Sequence, residues 1–341
     1  MLSLDQIRPF LENTLDRTDF ADLGKRYEGK VRDVYSQGNR NILIATDRQS
    51  AFDIKWCTIP LKGQVLNQLS AWWFERIKDV MPTHVLAMPD PNVTVVKNLK
   101  MLKVEIVVRA YLTGSTKTSA WVNYAAGVRN FCGNPLPEGM KKNQPFVSAP
   151  SSAKAMEGRQ GDRVPIITPT TKAEDDELID PAGIIARGLA TTEQWAEIAE
   201  KAFALFRRGQ EVALKRGLIL VDTKYEMGYD EKGTLTIADE VHTPDSSRYW
   251  VASTYEERFA NGQEPEALDK EFFRLWLREQ GFEYGKPKPI VTDDARVMLA
   301  QKYISLYEKM TGEEFQIEQG SVVERICENL ASYRVKAGMA S

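Results

Sequence analysis

Charged residues that could hold a metal ion and phosphates stand in the segment Gly217–Trp250, GLILVDTKYEMGYDEKGTLTIADEVHTPDSSRYW. The pattern predicts two strands joined by a turn at Asp230–Gly233, because apolar runs flank a turn-forming sequence. Side chains alternate along strands, so Lys224, Glu226 and Asp239 are expected on one face. Carboxylates beside a lysine suit Mg²⁺ and phosphate oxygens. A surface hairpin with solvated charges is the alternative, although the run LILV indicates a buried first strand.

Three further segments combine glycine, hydroxyl and cationic groups. In Gly29–Asp33 (GKVRD), the glycine lets backbone amides approach a phosphate that Lys30 could neutralise. In RAYLTGS, an arginine that closes an apolar strand is followed by a Gly-Ser turn, which suits a phosphate or a carboxylate. The segment Thr243–Arg248 (TPDSSR) offers hydroxyls and a guanidinium after a turn. A solvated strand, an ion pair and a helix N-cap are the respective structural alternatives.

Two more polar segments follow apolar or loop sequence. Thr46–Asp53 stands after an apolar strand, where binding residues are common but turns are too. Thr168–Glu174 ends a long loop, and its lysine could close over a nucleotide or remain solvated. The only histidines, His84 and His242, leave little material for histidine-based catalysis.

The composition narrows the class of protein. The chain has 341 residues, 43% of them hydrophobic, with a formal net charge of −3 and no basic run, so we expect no nucleic-acid partner. Three separated cysteines, Cys57, Cys132 and Cys327, fit a reducing cytoplasm rather than disulfides or zinc. The N-terminal segment lacks the apolar core of a signal peptide, and no apolar run approaches the ~18 residues of a membrane span. We therefore expect a cytoplasmic protein without a membrane partner.

The chain mixes strands and helices, which predicts an α+β fold. Expected strands include a hairpin with its turn at Ser36–Asn39, and the segments Val93–Val96 and Val104–Val108. Expected helices lie at residues 3–17 with Ser3 as N-cap, 64–80, before Gly127, 191–216 with Thr192 as N-cap, 269–279, 293–311 and 320–336. The long polar segment at about 141–163 is expected to be disordered or an insertion.

Taken together in their order, these motifs resemble the SAICAR synthetase family, in its longer, eukaryote-like branch. The matching segments are GKVRDVY, ATDRQSAFD, KG at Lys62–Gly63, VEIVVRAYLTGS, ITPTTKAE, GLILVDTKYEMG and ADEVHTPDSSRYW. The resemblance implies an ATP-grasp-like α+β fold, with a small β-rich nucleotide-covering domain at 1–108, a larger α/β domain at 109–315 and a C-terminal tail at 316–341.

The resemblance also implies an activity. It predicts a ligase that joins CAIR, an aminoimidazole ribotide carboxylate, to L-aspartate with ATP and Mg²⁺, giving SAICAR, ADP and phosphate in de novo purine biosynthesis. Phosphoryl transfer to the carboxylate would need positioning and charge neutralisation more than a nucleophilic side chain. A related ATP-grasp-like ligase with another carboxylate and amine pair is the alternative.

Site roles follow from the resemblance residue by residue. The ATP contacts are expected at Lys30, Arg32, Val96, Lys97, Met101, Glu105, Lys172 and Lys224. The Mg²⁺ ligands are expected at Glu226 and Asp239, and the substrate contacts at Asp53, Arg109, Ser115, Ser246 and Arg248, with the Asp47–Ser50 loop helping to build the pocket. Lys30, Lys224, Asp239 and Arg109 are the expected catalytic residues.

Some parts of the chain depart from the family pattern. Thr116–Thr118 lengthens the turn after Ser115, Ser151–Val164 resembles an insertion, and EDDELID is shorter than expected. The sequence assigns no role to the tail and leaves the oligomeric state, the order of substrate binding and the L-aspartate contacts open. The base for the aspartate amine also stays open between Asp239, Asp53 and a substrate carboxylate.

Overall fold

The computed structural model describes residues 2–147, 164–172 and 176–337. Most of the predicted insertion, from 148 to 163, lies outside these residues, as do Ala173 and Glu174 of the TKAE motif. The helices are α1 Leu4–Ile7, α2 Lys62–Arg76, α3 Ala120–Ala125, α4 Pro181–Ala186, α5 Thr192–Lys215, α6 Ala252–Ala260, α7 Glu271–Glu279, α8 Asp293–Thr311 and α9 Val322–Lys336.

The strands are mostly short. They are β1 Arg26–Glu28, β2 Arg32–Gln37, β3 Arg40–Ala45, β4 Arg48–Ala51, β5 Ile54–Thr58, β6 Val85–Asp90, β7 Val93–Lys97, β8 Lys100–Met101, β9 Val104–Arg109, β10 Asn130–Phe131, β11 Asn134–Pro135, β12 Ile166–Ile167, β13 Thr170–Thr171, β14 Leu218–Tyr229, β15 Leu235–Ala238 and β16 Ser247–Val251. The mixture confirms the predicted α+β class. No helix in the described part of the chain is long and apolar enough to cross a membrane.

The chain forms two compact units, and each is built from separate segments. Unit 1 comprises Met1–Lys100, Gly228–Asp245 and Leu268–Ser341, and unit 2 comprises Met101–Met227 and Ser246–Ala267. The predicted domains were contiguous ranges, so their boundaries do not coincide with these units. The difference arises because β14 leads from unit 2 into unit 1, and the chain later returns to unit 2 through β16.

Unit 1 contains a five-stranded antiparallel sheet in the order β1-β2-β3-β7-β6. The hairpin of β2 and β3 pairs Val34 with Leu43 and turns at Gly38 and Asn39, as predicted. Gly38 has φ of 61°, a left-handed conformation that glycine adopts without steric cost. This hairpin carries the predicted phosphate-covering residues at its start.

The C-terminal helix α9 belongs to the core of unit 1. Its buried residues Val322, Ile326 and Leu330 lie in one hydrophobic cluster with residues of the sheet. The sheet and N-terminal members of that cluster are Leu15, Leu23, Tyr35, Ile42, Ile44, Val93 and Val95. The predicted tail helix therefore exists and closes one face of the sheet.

Two helix starts show how capping shapes the elements. Ser3 caps α1 in a capping box with Gln6, as predicted, but the α-helix ends at Ile7 and continues as a 3₁₀ helix over Arg8–Glu12. Pro9 explains the change, because proline has no N–H to continue the α-helical pattern. Thr191, not the predicted Thr192, is the N-cap of α5, since its hydroxyl accepts the N–H of Gln194.

Unit 2 is organised around β14, which lies between β9 and β16. Both neighbours are antiparallel to it, and β12 and β13 pair with the other edge of β9. The long helix α5 packs on β9 through an apolar stripe that includes Ile198, Ala202 and Leu205. A second hydrophobic cluster forms around Leu112, Ala120, Tyr124, Phe131, Leu136, Met140 and Phe146.

Candidate functional site

The strand register of unit 2 gathers charged side chains on one face of its sheet. Asp222 of β14 lies opposite Arg109 of β9 and opposite Arg248 of β16. Since side chains alternate, Lys224 and Glu226 share the face of Asp222. The predicted strand with Lys224 and Glu226 is therefore confirmed. It is β14, which lies between β9 and β16.

Lys224 lies in a cluster with two carboxylates and a second lysine. Its ammonium donates to Glu105 Oε1 at 2.9 Å and to Glu226 Oε1 at 2.8 Å, and Lys172 is ion-paired with Glu226. Burial alone would raise the pKa of Glu226, but the charges of Lys224 and Lys172 outweigh it and hold that pKa at about 2. Glu226 is thus an ionised carboxylate held between two cations.

Arg109 and Arg248 share the carboxylate of Asp222. Arg248 Nη1 donates to Asp222 Oδ2 at 2.6 Å, and Arg109 Nη1 lies 3.4 Å from the same oxygen. Arg109 also donates through Nε to Thr168 Oγ1 at 2.7 Å. Burial lowers the pKa of Arg109, and the positive charge of Arg248 lowers it further against the attraction of Asp222. Two guanidinium groups with one carboxylate leave a net positive charge, which favours an anionic ligand.

The turn that contains Ser115 comes close to Arg248 because residue 114 is glycine. Gly114 has φ of 102°, and a Cβ there would lie 2.5 Å from Ser119 Cβ and 3.0 Å from Arg248 Nη2. A larger residue would therefore push the turn and the guanidinium apart. The structure brings Arg109 and Arg248 together as one cluster with this turn beside it.

In unit 1, Arg32 binds two neighbouring carboxylates. Its guanidinium donates to Asp239 Oδ1 and pairs with Glu240 Oε2, each at 2.7 Å. Burial opposes the charged form, yet the two carboxylates raise the pKa of Arg32 above its usual value. Arg32 is therefore a fixed positive charge on the hairpin, and it orients Asp239.

Asp239 does not lie on the second strand of the hairpin, so the prediction that it shares a strand face with Lys224 and Glu226 is wrong. The turn at Asp230–Gly233 is present, but β15 ends at Ala238. Asp239 has φ of 60°, and its N–H donates to the ring of His84 at 3.1 Å. The left-handed residue ends the ladder. Glu226 and Asp239 belong to different units, so a shared Mg²⁺ stays a prediction.

Lys30 and Asp53 form an exposed ion pair in unit 1, with Nζ and Oδ1 2.6 Å apart. Lys30 follows Gly29, where a Cβ would lie 2.9 Å from the carbonyl oxygen of Arg32. The glycine lets the chain fold back tightly between β1 and β2, and its N–H donates to that oxygen at 2.8 Å. The geometry leaves both charged groups at the surface.

The Asp47–Ser50 loop supports the fold with buried side chains. Asp47 accepts the N–H groups of Leu15 and Gly63, each at 2.7 Å, and burial raises its pKa to about 6. Arg48 is almost fully buried and donates to Asp33 Oδ1 at 2.8 Å. These two side chains are engaged inside unit 1, and a direct role for the loop in the pocket stays a prediction.

The other predicted ATP contacts occupy varied environments. Val96 is buried in β7 and pairs with Asn41, Lys97 is half-buried at the end of β7, and Met101 is exposed in β8. Asp245 and Lys62 belong to two of the motifs above, but the sequence did not predict that they pair in a buried network of unit 1. There Lys62 Nζ and Tyr303 OH each donate to Asp245 at 2.8 Å.

The residues present fit Mg²⁺, although they do not form a metal cluster on their own. In the described part of the chain no three His, Cys, Asp or Glu residues gather as metal ligands. Mg²⁺ usually takes only one or two protein carboxylates and completes its shell with water and phosphate oxygens. The ionised Glu226, with a low pKa and a partly exposed side chain, meets that requirement.

A cavity of about 530 Å³ lies elsewhere in unit 2 and includes none of the predicted site residues. Its lining includes Asn123, Phe131, Cys132, Asp180 and Arg187. Burial raises the pKa of the Cys132 thiol to about 11, which lowers its thiolate fraction at neutral pH.

Comparison with curated proteins finds close relatives along most of the chain. A phosphoribosylaminoimidazole-succinocarboxamide synthase of Legionella pneumophila (strain Lens) is 47% identical over 311 residues, covering 90% of this chain and 95% of that protein. The chloroplastic synthase of Arabidopsis thaliana is 44% identical over 339 residues, covering 96% of this chain and 77% of that protein.

Solved structures of SAICAR synthases have a fold similar to that of this chain. The SAICAR synthase from Saccharomyces cerevisiae, complexed with SAICAR, is 29% identical with a TM-score of 0.73, covering 89% of this chain and all of that chain. A type-2 SAICAR synthetase in complex with ADP is 25% identical with a TM-score of 0.62, covering 86% of this chain and all of that chain. The family model for SAICAR synthetase matches residues 25–289. The chain therefore belongs to the SAICAR synthetase family.

Proposed function

We propose that this protein is an ATP-dependent ligase that joins CAIR to L-aspartate and releases SAICAR, ADP and phosphate in de novo purine biosynthesis. The observation that carries the proposal is the single sheet face of unit 2. On it, strand register brings Arg109 and Arg248 to the same face as the ionised Glu226 and its two lysines. Membership of the SAICAR synthetase family supports the assignment.

Lys30, Lys172 and Lys224 are the lysines proposed for the ATP side of the site. Lys224 and Lys172 now neutralise Glu226, and their ammonium groups could turn to phosphate oxygens when Glu226 binds a cation instead. Lys30, on the tight Gly29 turn, is an exposed cation of the kind that covers a phosphate. Val96, Lys97 and Met101 are proposed near the adenine.

Glu226 and Asp239 are the proposed Mg²⁺ ligands. The bound cation would neutralise charge on the transferring phosphoryl group. In the chain itself, Arg32 donates to Asp239 at 2.7 Å and Lys224 donates to Glu226 at 2.8 Å, so both carboxylates are held in fixed orientations. Glu105, the second carboxylate bound by Lys224, fixes that lysine from the neighbouring strand.

The ribotide side of the site is proposed at Arg109, Ser115, Ser246 and Arg248. Asp222 orients both arginines, and the net positive charge of the group would attract the phosphate of CAIR. The CAIR carboxylate would accept the γ-phosphoryl group of ATP, and the amine of L-aspartate would then displace phosphate. Asp53 is proposed at the substrate pocket, and the cytoplasm is the proposed compartment.

The first test is ADP release by the purified protein with ATP and Mg²⁺. We expect release only when both CAIR and L-aspartate are present, with SAICAR formed in equal amount. Leaving out either substrate should abolish turnover. Equal ADP release without CAIR or without L-aspartate would refute the proposal. Turnover with a different carboxylate and amine pair would identify the related ligase instead.

A second test separates the two halves of the site. Arg248→Ala is expected to raise the KM for CAIR at least about tenfold and to leave ATP affinity unchanged, because a bidentate guanidinium contributes strongly to anion binding. Arg187→Ala is the matched control, since Arg187 is an exposed arginine of the same unit paired with Glu177. An unchanged KM for CAIR in Arg248→Ala would contradict the ribotide assignment.

A further inference from the structure

The hairpin of β4 and β5 has an unusual turn. Ala51 pairs with Ile54, so Phe52 and Asp53 form a two-residue loop, and their φ angles are 54° and 59°. Positive φ at both positions defines a type I′ turn, which favours Asn-Gly. A phenylalanine in this conformation is a steric outlier, so contacts outside the turn must hold it there.

Those contacts come from an aromatic clamp, which we define as Phe52, Trp56, Phe282 and Tyr284. The rings of Phe52 and Phe282 stack with centroids 5.1 Å apart, and Tyr284 meets Phe52 edge-on at 6.0 Å. Trp56 packs edge-on against Phe282 at 5.0 Å. Aromatic pairs at these distances and angles are favourable, so the segment after α7 fixes the ring of Phe52.

The two residues of the turn face different surroundings. Phe52 is only 6% exposed, whereas the side chain of Asp53 is 70% exposed and ion-paired with Lys30 at 2.6 Å. Asn-Gly would form the same turn without the strain. The chain instead has a buried ring that anchors the turn and a carboxylate that the anchored turn presents to Lys30.

We propose that Phe52 is a positioning residue for the ligase reaction. Held by the aromatic clamp, it fixes the Phe52–Asp53 turn and so places the Asp53 carboxylate beside Lys30. The inference rests on the proposed function, in which Lys30 covers a phosphate and Asp53 lies at the substrate pocket. The segment after α7, far along the chain, thereby contributes to the geometry of the site.

The kinetic test compares variants of Phe52. Phe52→Ala should lower kcat/KM by about tenfold to a hundredfold, because a small displacement of a site group has an effect of this size. Phe52→Tyr, which keeps the ring, should restore activity to near that of the unmodified protein. Tyr27→Ala is the control, because Tyr27 is 71% exposed and lies outside the clamp. Its exposure matches that of Tyr284, which is 70% exposed and belongs to the clamp. Tyr284→Ala should show a smaller loss than Phe52→Ala.

A double-variant cycle distinguishes positioning from general stability. If Phe52 acts through Asp53, Phe52→Ala should cause no further loss of kcat/KM in an Asp53→Ala background. Additive losses, or a lower melting temperature with unchanged kcat/KM in the single variants, would overturn the inference.

A labelling experiment tests the clamp without using activity. Acylation of Lys30, measured by mass spectrometry, should speed up in both Phe52→Ala and Asp53→Ala. Lys78 is the internal reference, because it forms a comparable exposed ion pair with Glu75 at 2.6 Å. If the unmodified protein lacks ligase activity, the proposed function fails while the labelling still decides whether the clamp holds Asp53. Unchanged Lys30 labelling in Phe52→Ala would reject the clamp even in an active ligase.

Discussion

Asp222 Oδ2 accepts a 2.6 Å hydrogen bond from Arg248 Nη1, and both residues lie at directly paired positions of β14 and β16. Arg109 approaches the same oxygen from the other neighbouring strand. Asp222 is 4% exposed, and its carboxylate is the shared counter-ion of Arg109 and Arg248, which are themselves largely buried. This one carboxylate sets the positions of the proposed ribotide-binding arginines.

Replacing Asp222 with asparagine should destabilise the protein in a way that an anion can reverse. Removing one partner of a buried ion pair costs about 3–5 kcal/mol, so the free energy of unfolding should fall by that order. Bound CAIR would supply a new counter-ion, so CAIR should raise the melting temperature of Asp222→Asn more than that of the unmodified protein. Thermal unfolding with and without CAIR measures both effects.

The control for this prediction is Glu177→Gln, which removes the carboxylate of the exposed pair with Arg187. An exposed pair contributes little, so its melting temperature should hardly change. An equal effect of CAIR on Asp222→Asn and the unmodified protein would argue against a phosphate site at the two arginines.

Glu226→Gln should raise the Mg²⁺ requirement of ADP release. Glutamine lacks the charge that the proposed metal ligand needs, so the Mg²⁺ concentration for half-maximal rate should rise at least about tenfold. The variant Glu211→Gln, an exposed position on α5, should behave like the unmodified protein. The measurement is the rate of ADP release as a function of Mg²⁺ concentration for each variant. Identical curves for Glu226→Gln and the unmodified protein would show that Glu226 is not a metal ligand.

The parts of the fold with strong local signals were predictable. The β2–β3 hairpin has a glycine at its turn, and α5 has clear apolar periodicity with a threonine at its start. Lys224 and Glu226 were found because alternation along a strand fixes which side chains share a face. These signals all act over a few residues of chain.

The parts that depend on distant contacts were not predictable. Asp222 follows the apolar run LILV, and its partners Arg109 and Arg248 become evident only from the register of three strands. The predicted strand position of Asp239 was wrong because Asp239 adopts a left-handed conformation that ends β15. An aspartate in the sequence does not by itself predict this conformation. The Phe52–Asp53 turn lacks the glycine that identifies such turns.

The tail helix allows a direct test of its place in the core. Ile326 is fully buried in α9, so Ile326→Ala should lower the free energy of unfolding by about 2–5 kcal/mol. Val335→Ala on the same helix should have almost no effect, because Val335 is 81% exposed. Denaturant unfolding of both variants makes the comparison. Equal stability of the two would mean that α9 does not close the sheet in solution.

His242 should make stability depend on pH between about 6.5 and 3. Burial lowers its pKa to about 3, and its ring packs edge-on against Trp73 with centroids 4.6 Å apart. Below pH 6.5 His242 takes up a proton in the unfolded chain, whereas in the folded protein it takes up this proton only near pH 3. Stability contributed by neutral His242 is therefore present above pH 6.5 and is lost as pH falls, by on the order of 4 kcal/mol over the window.

The measurement is the free energy of unfolding as a function of pH for the unmodified protein and His242→Asn. Asparagine tolerates the left-handed backbone of this position, where φ is 54°, and does not titrate. We expect the variant to be less stable at pH 7 but to lose stability more slowly between pH 6.5 and 4. Parallel curves over that range would mean that His242 takes up its proton equally well in the folded and unfolded states, and that its burial does not control the acid sensitivity of unit 1.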